Sequence, residues 1–445
     1  MKPSRYNYFF QVDEQAILAY NSLTTALAEL AAPEFAALQE YCSEPREGFF
    51  EAGGLETFRD ELVKAGFLVA DELDELEQAH AIHLALKQQR QRAIGLTIVP
   101  TLDCNFRCTY CFSYARQERM SARVQEALVR FVDEKLAGAD ALAVAWYGGE
   151  PTLCLDLIER LSAQLRSLCE RHGAEYQAAD IVTNGYLLTE KVAQRLKAAG
   201  ISQAQVTLDG DRETHDQRRP LQGGHGTFER ILDNVAAARG ILDIQVRINI
   251  DRGNAGSAVA ALDALGEHGL RGIPAYFGHV QPFTEACSGV ASDCLSDQEF
   301  GELNLALTRQ AIARGFACLH YPHLQLGGVC GADHGNSYLV APDGLLFKCW
   351  AQASLGADHS IGSLLEAQVT PSQKANLEGY LDWDPLEDGN CRDCRVLPIC
   401  MGGCPYLRVH GAPGANCAPW RHFLLDTLAL RYKMKYLMKE QASSL

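Results

Sequence analysis

Between residues 93 and 315 the apolar positions alternate between two rhythms. Short apolar, β-branched runs at 94–101, 142–147, 179–184, 204–209, 244–250 and 274–280 read as strands. Between and after them, at 121–137, 155–171, 189–199, 227–239, 257–268 and 296–314, apolar residues recur every three or four positions, the spacing of an amphipathic helix. The last of these opens on Ser296 with Glu299 three residues on, a capping box. Six strand–helix units in series predict a parallel sheet with right-handed crossovers. Eight units close a full barrel, so six predict an open one: an α/β fold built on a partial (β/α)6 TIM-type barrel.

The flanks follow other patterns. Residues 6–12 and 16–20 are short strand-like runs around Asp13-Glu14-Gln15, which predicts a hairpin. After Asn21-Ser22, helical spacing is read at 23–30, 33–41 and 56–65, followed by a short strand at 65–69 and a charged helix over 71–92. The pattern predicts a winged-helix-like first domain, 1–92, ahead of the barrel, 93–315. The last domain, 316–445, is cysteine-rich. It carries a hairpin of 338–340 and 345–348 around Ala341-Pro342-Asp343-Gly344 and ends in a helix over 421–439.

Composition narrows the class. At 445 residues, 47% hydrophobic and 22% charged, the chain has material for a large core. A net charge of −16 offers no broad basic surface, which argues against nucleic acid and anionic membranes as partners. No apolar run approaches the roughly 18 residues of a membrane span. Nothing after Met1-Lys2-Pro3-Ser4-Arg5 has the apolar core of a signal peptide. Sixteen cysteines in such a chain point to metal or cluster ligation in a reducing, cytoplasmic compartment rather than to disulfides.

The cysteines gather where the chemistry is expected. Cys104, Cys108 and Cys111 follow the first strand at C-x3-C-x2-C spacing, at the strand end where α/β barrels present their active residues. Thiolates select zinc, copper or iron–sulfur clusters, and three of them are one short of a closed four-ligand site. The triplet is read as a cluster with one open iron, as a zinc loop, or as three unrelated buried thiols. Further strand ends carry polar groups: Gly148-Gly149-Glu150-Pro151, Thr183-Asn184-Gly185, Thr207-Leu208-Asp209-Gly210 and Asn249-Ile250-Asp251. His215 is read as a structural hydrogen-bonder, and Cys42, Cys154 and Cys169 as core thiols.

The C-x3-C-x-aromatic-C triplet after a first strand resembles the radical SAM superfamily. That resemblance implies a [4Fe–4S] cluster on Cys104, Cys108 and Cys111, whose open iron chelates S-adenosyl-L-methionine. Electron transfer then cleaves the sulfonium and yields a 5′-deoxyadenosyl radical. It places Tyr110 near the adenine and the Gly148-Gly149-Glu150-Pro151 motif at the methionine amino group. By position it assigns Thr207 and Arg219 to the carboxylate, with Asn184 and Asn249 as further cofactor contacts, Asn249 at the ribose.

The C-terminal third resembles the SPASM extension of radical SAM peptide and protein maturases. It reads Cys330, then Gly344-x4-Cys349, then Cys391-x2-Cys394-x5-Cys400-x3-Cys404, then Cys417. The competing reading is one or two structural zincs. The resemblance implies two auxiliary [4Fe–4S] clusters, three clusters in all. Cys330, Cys349 and Cys404 would hold the first, with Cys318 as the candidate for its remaining ligand and Cys287, Cys294 or an open iron as alternatives. Cys391, Cys394, Cys400 and Cys417 would hold the second.

Together these resemblances imply an enzyme that modifies side chains of a ribosomally synthesised peptide or protein by crosslinking or oxidation. They imply a precursor-binding first domain that adds the peptide to a sheet edge, and a reductant such as flavodoxin or ferredoxin. An anaerobic sulfatase maturase making formylglycine is the alternative. That group places Asp directly after the cysteine of the G-x4-C motif, where this chain has Trp350. A non-enzymatic iron–sulfur or zinc scaffold is the alternative of another class.

Overall fold

The computed structural model describes all residues except 15, 112, 114–116, 319, 412–416 and 444–445, and all other side chains except those of 285–288 and 435–443. It divides into two compact units. One comprises 1–89, 320–329 and 383–445; the other comprises 90–319 and 330–382. The cysteine-rich third therefore contributes to both.

The larger unit holds the strand–helix series. Strands Ala93–Ile98, Ala141–Trp146, Ala179–Thr183, Ile201–Leu208, Asp243–Ile250 and Ala275–His279 lie side by side in chain order, each parallel to the next. The helices fall within a residue or so of the spacing-based bounds, for example Leu155–His172 and Asp297–Ala313. Their ends have local causes: Ser121 and Thr189 each accept from the backbone N–H three residues on, and Ser296 closes its capping box with Glu299.

Each strand alternates. Ile94, Leu96 and Ile98, then Val246, Ile248 and Ile250, are buried in the main core with the helices, while Gly95, Thr97, Arg247 and Asn249 take the other face. The hairpin expected near Ala341-Pro342-Asp343-Gly344 is present as Ser337–Val340 and Leu345–Phe347. It is also part of the barrel sheet: Ser337–Val340 runs parallel to Ala93–Ile98, and Leu345–Phe347 carries Gly362–Ser363 beyond it. Gly95 permits this pairing closely, since a Cβ there would come 2.9 Å from Ser337 Oγ.

In the smaller unit, Asn7–Gln11, Ile17–Asn21 and Leu27–Leu30 form a three-stranded antiparallel sheet. The hairpin was expected; the third strand replaces the helix read at 23–30. Asn21 explains the difference. Its side-chain carbonyl accepts from the N–H of Leu23 at 2.9 Å and of Thr24 at 3.0 Å, and Thr25 adopts a φ of 56°. This local turn reverses the chain and sets Leu27–Leu30 against Ile17–Tyr20, overriding the helix propensity of Leu-Ala-Glu-Leu. Helices Ala32–Ser43, Glu56–Ala65, Glu75–Arg90 and Trp420–Ser443 complete the elements followed here. Tyr20 packs with Val396, Ile399, Leu424 and Leu428. Among the described residues no helix is long and apolar enough to cross a membrane.

Candidate active site

The cysteine loop is laced to two other segments of the larger unit. Gly149 N–H donates to Thr101 O at 3.0 Å and Glu150 N–H to Asp103 O at 2.9 Å. On the other side Arg107 N–H donates to Pro220 O, Thr109 N–H to Arg218 O and Gln222 N–H to Asn105 O. The glycines serve this lacing. A Cβ on Gly149 would come 2.2 Å from Asp103 O, and one on Gly148, where φ is 129°, 2.5 Å from Thr101 O. Both glycines thus permit a close approach of this turn to the cysteine loop.

Glu150 lies at the centre of this stitching and is fully buried. Its carboxylate accepts from Thr183 Oγ1 at 2.7 Å, Asn184 N at 2.8 Å, Thr152 N at 3.1 Å and also Thr152 Oγ1. Three of these donors fall on Oε1 and one on Oε2, which keeps a further acceptor site. Burial raises its pKa and these hydrogen bonds oppose the rise. In this arrangement Glu150 anchors strand ends, and the backbone of Gly148-Gly149 is what it holds in place. Pro151 begins the short turn that follows.

Asn184 donates to Asn105 Oδ1 at 2.8 Å and has its amide 3.9 Å from Cys104 Sγ. Tyr110 is the hub on the opposite side. Its hydroxyl donates to Asp209 Oδ1 at 2.8 Å and accepts from Arg219 Nη1 at 2.6 Å and Asn249 Nδ2 at 3.0 Å. Arg218 lies over the Tyr110 ring, 4.9 Å from its centroid, and bridges two buried aspartates: Nε to Asp209 Oδ2 at 3.0 Å and Nη2 to Asp251 Oδ2 at 2.7 Å. Thr207 is buried one residue before the end of its strand. The structure thus brings Arg219, Asn249 and Asp209 together around the Tyr110 hydroxyl. The Asp209–Arg218–Asp251 bridge was missed as a unit in the sequence. Strand-end Asp209 and Asp251 were visible there, but nothing signalled that Arg218 would join them.

The donor set fits a thiolate-held cluster. Burial pushes Cys104 up to about 12 and Cys108 up to about 11; Cys104 also feels Glu150, Cys108 and Cys111, and Cys108 feels Arg219 and Cys111. Such thiols stay protonated until a metal displaces the proton. Among the described residues no three His, Cys, Asp or Glu side chains converge tightly enough to grip a single ion. A four-iron cube spreads its ligands over separate irons and suits wider spacing. Two buried donors beside the thiols, Asn105 Nδ2 and Arg219 Nε, have no hydrogen-bond partner among the described residues. Unpartnered buried donors at a strand-end site are what a polar ligand would satisfy.

The remaining cysteines sort into distinct settings. In the larger unit, Cys330 caps a short turn, its sulfur accepting from Ala332 N at 3.3 Å, and Cys349 precedes Trp350. Trp350 is 41% exposed, stacks 4.7 Å from the Tyr147 ring and donates from Nε1 to Thr97 Oγ1 at 2.8 Å. Cys318 is placed differently from its candidate role. It is buried in the main core, donates toward Thr308 O at 3.6 Å, and only burial shifts its pKa, to about 11. That is the setting of a core thiol, and among the described residues no other cysteine is a cause of its shift. The Cys287 side chain lies outside the described residues. In the smaller unit Cys391 feels Cys400 and Cys417, and Cys400 feels Cys394 and Cys417. Arg421 donates to Cys417 Sγ at 3.4 Å. Cys404 stands just before helix Pro405–His410, after left-handed Met401, Gly402 and Gly403.

His215 is fully buried, accepts at Nδ1 from Asp209 N–H at 3.3 Å and lies 3.1 Å from Thr227 Oγ1 through Nε2, so it is structural as expected.

Comparison with known proteins bears on this site. Residues 98–270 match the radical SAM superfamily. The serine-type anaerobic sulfatase-maturating enzyme of Klebsiella aerogenes is 25% identical over 350 residues, 73% of this chain and 83% of that protein. The mycofactocin maturase MftC of Mycobacterium tuberculosis is 26% identical over 330 residues, 70% of this chain and 78% of that one. Among solved structures, anSMEcpe with bound AdoMet and Kp18Cys peptide aligns with a TM-score of 0.60 at 18% identity, covering 78% of this chain and 99% of that one. Streptococcus suis SuiB bound to its precursor peptide SuiA aligns at 0.50 and 16% identity, covering 94% and 98%. These two likenesses concern the fold.

Proposed function

The chain carries a radical SAM domain, and we propose that it is a maturase that modifies side chains of a ribosomally synthesised peptide or protein. The observation that carries this reading is the lacing of the Cys104-Cys108-Cys111 loop to Gly148-Gly149-Glu150 on one side and to residues 218–222 on the other. It sets three thiols beside unpartnered donors at the ends of parallel strands, where barrel chemistry is done. The relatives named as maturases support the same reading.

Cys104, Cys108 and Cys111 would each hold one iron of the domain's [4Fe–4S] cluster. Bound there with S-adenosyl-L-methionine, that cluster supplies the electron and the 5′-deoxyadenosyl radical. The chain's own part is to hold and orient. Arg219, with its free Nε, and Thr207 would take the cofactor's carboxylate. The Gly148-Gly149 backbone, fixed by Glu150, would meet its ammonium, and Tyr110 and Asn249 its nucleoside end. Asp209 and Asp251 keep the two arginines in register.

The finer assignments belong to the same proposal. Two auxiliary clusters would make three in all, the second on Cys391, Cys394, Cys400 and Cys417. The influence of Cys400 and Cys417 on Cys391, and of Cys394 and Cys417 on Cys400, supports that grouping. The first would use Cys330 and Cys349. The precursor would add as a strand to an edge of the sheet formed by 7–11, 17–21 and 27–30, and flavodoxin or ferredoxin would supply electrons. The sulfatase-maturase alternative is favoured by the similarity to the Klebsiella enzyme and opposed by Trp350.

Iron counting tests the reading. Anaerobically reconstituted protein is expected to hold about twelve irons from three four-iron clusters, and Cys417→Ala about four fewer. About four irons with stoichiometric zinc would overturn the auxiliary clusters.

A further inference from the structure

The inner face of the parallel sheet holds one cation that the site above leaves unused. Val246, Ile248 and Ile250 enter the helix-covered core, so Arg247 and Asn249, the alternating residues of the same strand, face the barrel interior. Asn249 fixes the direction, because its amide reaches Tyr110 in the cysteine loop. One row deeper, Thr207, Arg247 and Tyr276 lie side by side on neighbouring strands.

Arg247 is held in a built setting. Its Nε donates to Asn249 Oδ1 at 2.6 Å, and its guanidinium lies 5.8 Å from the Tyr276 ring centroid. Tyr276 is itself fixed by donating to Gln205 Oε1 at 2.6 Å. Gly278 makes room: a Cβ there would come 2.4 Å from Nε and 2.7 Å from Cζ, so a larger residue would displace the guanidinium. On the same face of the first two strands stand the small residues Gly95, Thr97, Ala143 and Ala145, with Trp350 donating to Thr97 Oγ1.

What Arg247 lacks is an anion. Among the described residues no carboxylate pairs with it, and the single hydrogen bond it donates is from Nε; its two terminal nitrogens have no acceptor. Those nitrogens are not among the buried unpartnered atoms either, so they face accessible space. Arg218 differs, spending its fork on Asp209 and Asp251. Arg247 also lies within electrostatic reach of Tyr147, which feels Cys111 in turn.

We propose that Arg247 is a substrate-binding residue that takes a peptide carboxylate, on its two terminal nitrogens, inside the barrel. A planar two-donor fork matches a carboxylate, and a cation with no acidic partner among the described residues selects for one. The inference rests on the maturase reading and names the substrate's chemistry: a peptide with a carboxylate near the modified residue, from an Asp or Glu side chain or from the C-terminus.

Phenylglyoxal labelling of the reconstituted protein, mapped residue by residue, tests this. Three probes are compared: N-acetylglycylglycine, N-acetylglutamate α-amide and neutral N-acetylglycinamide. Arg247 is expected to label, and a carboxylate probe to slow that labelling about tenfold, while the neutral amide leaves it unchanged. Whichever acid protects better identifies the source of the carboxylate. Saturation-transfer NMR of the same acids is expected to weaken about tenfold in Arg247→Gln and in part in Arg247→Lys. An unlabelled Arg247, equal protection by the amide, or undiminished binding by Arg247→Gln would each overturn the proposal. Protection in a protein that never cleaves S-adenosylmethionine would support the carboxylate site and overturn the maturase reading instead.

Discussion

The guanidinium of Arg219 donates to the phenol oxygen of Tyr110 at 2.6 Å, tying a residue inside the cysteine triplet to the segment after the fourth barrel strand. Arg219 also lies 3.8 Å from Asp209 Oδ1 and 5.8 Å from the Phe106 ring centroid, yet its Nε is buried without a partner. The side chain is aimed but not satisfied. Charged hydrogen bonds are worth roughly 1.5–3 kcal/mol. Arg219→Ala is therefore expected to weaken S-adenosylmethionine binding about ten- to a hundredfold in anaerobic calorimetry. An unchanged Kd would make Arg219 a structural partner of Tyr110 alone.

Arg218 is expected to matter more for stability. Asp209 and Asp251, its partners, are 0% and 1% exposed. Removing one side of a buried pair typically costs about 3–5 kcal/mol, because the other charge stays buried. Tyr110 and Gly253 N–H still serve the aspartates, which favours the lower end. Urea unfolding of Arg218→Met is the check, and a loss under about 1 kcal/mol would contradict the bridge.

Gly149 carries a steric prediction. Alanine there would press its Cβ against the Asp103 and Leu102 carbonyls, at 2.2 and 2.6 Å. Neither is a flexible side-chain tip, so the cysteine loop must move. Overpacking of this kind costs about 1–3 kcal/mol. Gly149→Ala is expected to lose iron selectively from the Cys104-Cys108-Cys111 site, read as a drop of about four irons per chain.

His215 carries a pH dependence. Burial, aided by Arg219 and Arg218, holds its pKa well below the usual 6.5. Below 6.5 the unfolded chain takes up a proton that the folded chain refuses. The stability is thus fully present above 6.5 and is lost as pH falls from there toward the folded pKa. One proton corresponds to about 1.4 kcal/mol per pH unit. His279, His320 and His334 are also lowered by burial and add to the slope with the same sign. Unfolding free energies between about pH 7 and about pH 5 are expected to fall less steeply in His215→Gln, by up to that amount.

Much of the barrel was legible in the sequence because its signal is local and repeated. Apolar runs such as Ile94–Ile98 alternate with amphipathic helices such as Leu155–His172, and short parallel connections leave few other topologies. The third strand of the smaller unit was not legible. Leu27–Leu30 has helical propensity, and the Asn21 turn that overrides it acts through side-chain hydrogen bonds that spacing does not reveal. At the site, the family resemblance singled out Tyr110, Glu150 and Arg219. It did not tell that Glu150 turns inward to four donors, or that the glycines before it accommodate the cysteine loop. Cys318 looked like any other cysteine in a cysteine-rich segment; its burial beside Thr308 depends on how the strand-end segment at Ala317 pairs with Pro274.

On the maturase reading the Cys104-Cys108-Cys111 loop holds a cluster that cleaves S-adenosylmethionine. The measurement is anaerobic formation of 5′-deoxyadenosine by reconstituted, dithionite-reduced protein, set beside the variant with all three cysteines replaced by alanine. The wild type is expected to form it. The variant is expected to form none while keeping about eight irons on its C-terminal cysteines. Cleavage by the triple variant at the wild-type rate, or no cleavage by an iron-replete wild type, would contradict the account.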